Sequence, residues 1–283
     1  MKMQGNHISS FLPDNLGEKP DKVYKFRTWS NSFHRKIITQ GEVWFSHPFD
    51  LNDPFELRPP NKVIINKLTS KEASEHLWRC LQIALPSISD SERKIIFRRK
   101  IEEIKNDPID YFLQGITVTE RNKTDYDQFG VLSLSINPCE MLLWSYYGDS
   151  HKGFCVGFNT RQFADEMSCL DGRVIYSDEP IDFDPMREQS GEEIANGFFK
   201  KSLKWTNEEE YRFLTGQIDS ESARAKTFSA NSVEEIILGM NISAADEEDI
   251  IKNVMLSFDK DVPIYKIGKR NGSYELGRNL LKR

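Results

Sequence analysis

Hydrophobic and polar positions along this chain alternate in several short stretches and recur at helical spacing in others. In the stretch from Val131 to Phe158, Ser133 and Ser135 share a face with Val131 while Leu132 and Leu134 take the other, as in a half-buried strand. Asn137 as N-cap, Pro138 in the first turn and Glu140 three residues after the cap predict a helix running to about Gly148. Met141, Leu142, Leu143, Trp144, Tyr146 and Tyr147 cover nearly every side of it, so it is expected to be buried. After a polar turn from Asp149 to Gly153, Phe154, Val156 and Phe158 alternate with Cys155 and Gly157 in a second strand, whose small face admits a close approach.

The flanking segments extend this pattern. Residues 1–21 read as a flexible N-terminal arm. Residues 23–29 alternate as a strand that places Lys25 and Arg27 beside Val23 and Trp29; a helix capped by Ser30 follows, closed by Gly41, and Glu42 to Ser46 returns as a strand. The loop from His47 to Leu57 holds Asn52, Asp53 and Glu56, with Phe49, Leu51 and Phe55 expected to pin it to the body. From about 60 to 128 the pattern turns helical, with capping boxes at Thr69 to Glu72 and Ser89 to Glu92 and apolar spacing at Leu77, Leu81 and Leu85; this predicts an inserted helical lobe.

Further on, a short strand at Val174 to Tyr176, a helix from Glu192 to Lys204 and strands from Glu208 to Thr215 and Ser232 to Leu238 are expected. A helix from Ser243 to about Phe258 precedes a hairpin turning at Asn271 and Gly272. The fold class is therefore α+β, a single domain over residues 22–283 with a mixed sheet and the helical lobe inserted at about 60–128.

Composition adds exclusions. A net charge of -6 over 283 residues provides no global basic field for nucleic acid, and the basic run Lys94 to Lys100, which could touch nucleic acid, reads first as a solvated helix face. No stretch has the length of a membrane span and the N-terminus lacks a signal-peptide core, so a cytoplasmic location and no membrane partner are expected. Cys80, Cys139, Cys155 and Cys169 form no CxxC pair, which fits reduced thiols, and no metal site is expected.

The segments YKFR, GEVWFSHPFDLNDPFE, LSLS with LLWSYYGDSHKGFCVGF, and KWTNEEEYR resemble a bacterial domain-of-unknown-function family found in proteins assigned to phage defence. A second resemblance is to the ADP-ribosyltransferase superfamily, whose NAD site is built from an Arg or His on a first strand, a Ser or Tyr on a middle strand and a Glu on a later one. Here that order is filled by Arg27, then Ser133 or Ser135, then Glu208 or Glu210. The resemblance implies an ADP-ribosyltransferase-like core, NAD as substrate and an unidentified protein or nucleic-acid acceptor, in a toxin or effector of anti-phage defence. Glu210 and Glu208 would be catalytic; Arg27, Ser133, Ser135, Trp144 and Tyr147 would bind NAD; Asn52, Asp53, Glu56 and His151 would line the acceptor side. The residue types suit the chemistry, because arginine grips phosphate bidentately and a carboxylate stabilises positive charge developing on a sugar.

Plainer readings compete. Arg27 would pair with a structural carboxylate such as Glu56 or Glu210, the serines would be ordinary strand residues, and Trp144, Tyr146 and Tyr147 would be core. Two other classes remain open: a non-enzymatic sensor with a defence-system partner protein, and a metal-dependent nuclease using Asp53, Glu56, Glu208 and Glu210.

Overall fold

The computed structural model describes residues 18–56, 61–63, 71–106, 126–183, 197–259 and 261–282. Eight strands build one mixed sheet: β1 (Lys22–Arg27), β4 (Gly130–Ser135), β5 (Phe154–Asn159), β6 (Leu170–Arg173), β10 (Glu210–Thr215), β12 (Val233–Leu238), β13 (Ile264–Lys269) and β14 (Leu276–Lys282). Their order is β14-β13-β12-β5-β1-β4-β10-β6. Only β12 and β13 run parallel; the other neighbours are antiparallel.

Alternation along these strands gives the sheet two unlike faces. On one, Val23, Leu132, Val156, Phe213 and Ile236 pack under α1 (Ser32–Thr39), α5 (Thr160–Met167) and α6 (Ala244–Ser257), which contribute Ile38, Phe163 and Ile250. Helix α1 starts at Asn31, whose side chain accepts from the Phe33 amide, and ends before Gly41, where a φ of +58° suits glycine. The other face carries two separate apolar clusters. Tyr24, Phe26, Cys155 and Ile237 meet Leu143 and Trp144 of α4 (Met141–Tyr146). Val131, Leu170 and Leu214 meet Tyr126, Phe129 and Phe199. Between the two clusters lies a polar strip, formed by Ser133 and Ser135 of β4 opposite Arg212 and Glu210 of β10.

Strands β1 and β4 are in register only at Tyr24 opposite Ser135, beyond which they part. Across the gap Lys25 Nζ donates to the main-chain carbonyl of Ser133 at 2.6 Å. Behind β1, Glu235 accepts from the Tyr24 hydroxyl at 2.8 Å and pairs with Arg278, tying β1, β12 and β14 together.

Several expectations are corrected. The segment 42–46 does not join the main sheet: β2 (Glu42–Trp44) pairs with β11 (Ala225–Thr227), and only Ser46 bridges to Val131. The cause is Arg224, which is buried and donates to the carbonyls of Phe129 and Asp127, both at 2.9 Å, and of Phe45, holding this corner together. Asn137 caps a turn by accepting from the Cys139 amide, and α4 is instead capped by Glu140. Nor is α4 buried all round, since Met141 and Tyr146 are exposed. The helix predicted over 192–204 is broken: residues 197–199 are helical, Lys200–Lys201 form the short β9, paired with β7 (Ile175–Tyr176), a 3-10 turn begins at Leu203, and the part at 192–196 lies outside the described residues.

Within the predicted lobe, α2 (Lys71–Ala84) and α3 (Asp90–Asn106) are helices, and the Ser89–Glu92 capping box forms as expected. The short β3 (Asn61–Val63) pairs with β8 (Ile181–Phe183) apart from the main sheet. Thr69, the start of the capping box at 69–72, and most of the N-terminal arm lie outside the described residues. No helix among the described residues is long and apolar enough to cross a membrane.

Arg224→Ala takes the donor from three carbonyls, two of them (Phe45 and Phe129) buried, so it is expected to lower stability by about 3 kcal/mol, read from urea denaturation. An unchanged midpoint would show that water replaces the guanidinium.

Candidate active site

The gap between β1 and β4 opens into a cavity of about 270 Å³, at the lower end of the size range of small-molecule sites. Its walls come from four parts of the chain: β1 supplies Lys25 and Arg27, the loop after β2 supplies Asn52 and Glu56, β4 supplies Ser133 and Ser135, and the segment 201–210 supplies Lys201, Glu208 and Glu210. Tyr147, just beyond α4, stands at the side.

Glu208 and Glu210 do not lie on one strand as the alternation suggested. Glu208 ends a 3-10 helix (Leu203–Glu208), Glu209 turns the chain with a left-handed φ of 42°, and β10 begins at Glu210. Three consecutive glutamates resist a strand, and the turn brings the first and third to the same cavity. There Lys201 Nζ contacts Glu208 at 2.6 Å and both Glu210 and Glu56 at 3.1 Å. Arg212, fully buried, donates Nε to Glu210 Oε1 at 2.8 Å, pairs with Glu56 and donates to the Phe198 carbonyl. Three carboxylates thus share two cations.

This arrangement separates the carboxyl groups chemically. Burial alone would raise the pKa of Glu210, but the charges of Arg212 and Lys201 outweigh it and hold the group below the ordinary carboxylate range. Glu208 moves the other way: burial raises its pKa, and Lys201 offsets this only in part. The Tyr147 hydroxyl donates to Glu208 Oε1 at 2.8 Å and accepts from Asn52 Nδ2 at 3.1 Å, so the loop is latched to this carboxylate. Burial and the Glu208 charge together keep that phenol protonated by raising its pKa.

The opposite wall is cationic. Neither Lys25 nor Arg27 makes an ion pair with a described carboxylate, although both are largely enclosed by protein and border the cavity. Burial lowers the pKa of Arg27 to about 10, and burial followed by the Arg27 charge pushes Lys25 well below its usual value. Such a pair is stabilised by an incoming anion.

Of the residues singled out in the sequence, Arg27, Ser133, Ser135, Tyr147, Asn52, Glu56, Glu208 and Glu210 border this one cavity. Trp144 does not: it is fully buried against Phe26, with its indole donating to the Pro138 carbonyl. Asp53 is buried and accepts from the Phe55 amide, shaping the loop from within. His151 stacks on Trp144 in a turn of left-handed residues and also lies off the cavity. Lys25, Lys201 and Arg212 were missed as site residues. The signal for Arg212 was its place on the glutamate face of β10, whereas Lys201 lay in a presumed helix and gave none.

A family model described as a protein of unknown function (DUF2971) matches residues 143–213. The match covers Tyr147, Lys201, Glu208, Glu210 and Arg212, and leaves out Arg27 and the two serines. No curated protein and no solved structure matches the chain.

Lys201→Met would leave Glu208 without a cation and Glu56 and Glu210 to Arg212 alone, and is expected to cost about 3–5 kcal/mol at pH 7. Without the lysine the crowded carboxyls bind protons more tightly folded than unfolded, so the deficit should shrink as pH falls from 7 toward 5. Denaturation midpoints across that range test this; a deficit independent of pH would mean that the loss is one of packing.

Proposed function

We propose that the cavity is an NAD site and that the protein is an ADP-ribosyltransferase-like enzyme that passes ADP-ribose to a protein or nucleic-acid acceptor. One observation carries the reading: Arg27, Ser133 with Ser135, and Glu208 with Glu210 converge on a single cavity from β1, β4 and the β10 region, elements adjacent in the sheet and in the chain order the resemblance implies. Lys25 and Arg27 meet the negative pyrophosphate, the serines offer hydroxyls to the nicotinamide amide, and the glutamates face the ribose. The cavity suits the nicotinamide-ribose half of the molecule, with the adenosine end at the mouth.

Within this reading Glu210, held ionised by two cations, supplies the fixed negative charge that stabilises positive charge on the sugar. Glu208, with its raised affinity for protons, accepts the proton of the acceptor group. The alternative of a metal-dependent nuclease fits less well, because Lys201 and Arg212 already occupy the oxygens of Glu56, Glu208 and Glu210. Asp53, its fourth ligand, faces away into its own loop. The effector role in phage defence rests on the family resemblance.

The test is incubation of the full chain with labelled NAD and cell lysate, with NAD affinity measured by calorimetry. Arg27 has no ion-pair partner among the described residues to lose, so Arg27→Ala should leave the fold intact and weaken NAD binding roughly ten- to hundredfold. Glu210→Gln should bind NAD nearly as the parent does but turn it over about a hundredfold or more slowly, about 3 kcal/mol of lost transition-state stabilisation. Glu208→Gln should depress transfer more than NAD hydrolysis. A parent protein that neither binds nor consumes NAD sinks the proposal, and a co-purifying protein without turnover would favour the sensor reading.

A further inference from the structure

Helices α2 and α3 pack against each other with Trp78 and Phe97 edge to face, their ring centroids 5.5 Å apart at 85°. Beside this pair runs an open groove of about 720 Å³. Arg79 lines it from α2, and Lys94 and Arg98, one helical turn apart, line it from α3; all three are exposed. Glu75 is the one acid among the described lining residues.

The charges here are not laid out as a solvated face would have them. The other described cations of α3 have acids beside them, Arg93 with Asp90 and Arg99 and Lys100 with Glu103. Arg79, Lys94 and Arg98 have no ion pair among the described residues, and they are the cations that border the aromatic floor. Cations along both walls match a chain of phosphates, and flat rings at the base match bases stacked out of a strand. An acidic amphipathic peptide would instead need an aliphatic trough for its apolar side chains, and the floor here is two aromatic rings beside Ser74.

We infer that the α2–α3 groove binds single-stranded nucleic acid, with bases stacking on Trp78 and Phe97 and phosphates held by Arg79, Lys94 and Arg98. The inference does not rest on the NAD reading: either site functions without the other.

Fluorescence anisotropy of the full chain with a labelled oligothymidine and a labelled oligouridine of about twenty nucleotides, against a duplex of equal length, tests it over a series of salt concentrations. The single strands should bind more tightly than the duplex, with affinity falling steeply as salt rises. Replacing Arg79, Lys94 and Arg98 together by Ala should weaken binding at least about tenfold and flatten the slope of log K against log salt by about 2, three contacts at about 0.7 each. Trp78→Ala should weaken binding roughly tenfold at unchanged slope. Since Trp78 also packs between the helices, Arg98→Glu, which leaves the ring pair alone, must by itself weaken binding several-fold while circular dichroism stays that of the parent. The inference is overturned if the parent binds neither strand at low salt, if duplex binds as well, if the triple variant or Arg98→Glu binds like the parent, or if polyglutamate displaces the strand at equal charge, which would make the surface a site for acidic protein.

Discussion

The sharing of three buried carboxylates between Lys201 and Arg212 is the constraint on which this structure turns. Each of Glu56, Glu208 and Glu210 is almost wholly withdrawn from water, and an isolated buried carboxylate costs several kcal/mol even after relaxation. Two cations cannot neutralise three anions, so the network keeps an excess negative charge and holds it at a fixed place. That excess faces Lys25, which feels the charges of Glu210 and Glu208 across the cavity without closing an ion pair, and Arg27 borders the same cavity. The cavity is therefore polarised from wall to wall, anionic beside β10 and cationic beside β1. A ligand with negative charge toward β1 and positive charge toward β10 would complement such a space.

The network also fixes parts of the chain distant in sequence. Glu56 is brought from the loop after β2, Lys201 from β9 and Arg212 from β10, so the loop that carries Asn52 is held at both ends, by Glu56 below and by Tyr147 above. Apolar clusters on either side of the polar strip seal its flanks. A charged centre with hydrophobic shoulders is a costly arrangement for a sheet, and its two unlike flanks explain why the strip is confined to β4 and β10 rather than spread along the strands.

Most of the strands were legible because alternation is a local property: Val131 to Ser135 and Phe154 to Phe158 declare their two faces within a few residues. Helix α6 and its Ser243 cap were equally plain. What local pattern missed was set by long-range hydrogen bonding. The segment 42–46 has the composition of a sheet strand, yet it is drawn to β11 by the Arg224 corner some 180 residues away in sequence. Lys201 carried no signal because the meaning of a lone lysine depends on which carboxylates the fold delivers to it. Arg27, by contrast, was recognisable as an arginine beside apolar residues of a strand, although its lack of a described carboxylate partner emerges only once Arg212 and Lys201 are seen to hold Glu56, Glu208 and Glu210. The helix α5 and strand β6 after Asn159 escaped notice: α5 follows β5 directly, its cap Asn159 being the last residue of that strand.

The parting of β1 from β4 after Tyr24 and Ser135 has a mechanical meaning. Five strands, from β14 to β1, form one plate and three, from β4 to β6, form another, and along the seam between them a single backbone pairing and the reach of Lys25 to a carbonyl take the place of a full ladder. A seam of that kind is the most compliant line in an otherwise continuous sheet, and the cavity lies along it. Whatever is gripped by Lys25 and Arg27 on one plate and by the glutamates on the other becomes the missing rungs, so that occupancy and stiffness of the whole sheet rise and fall together.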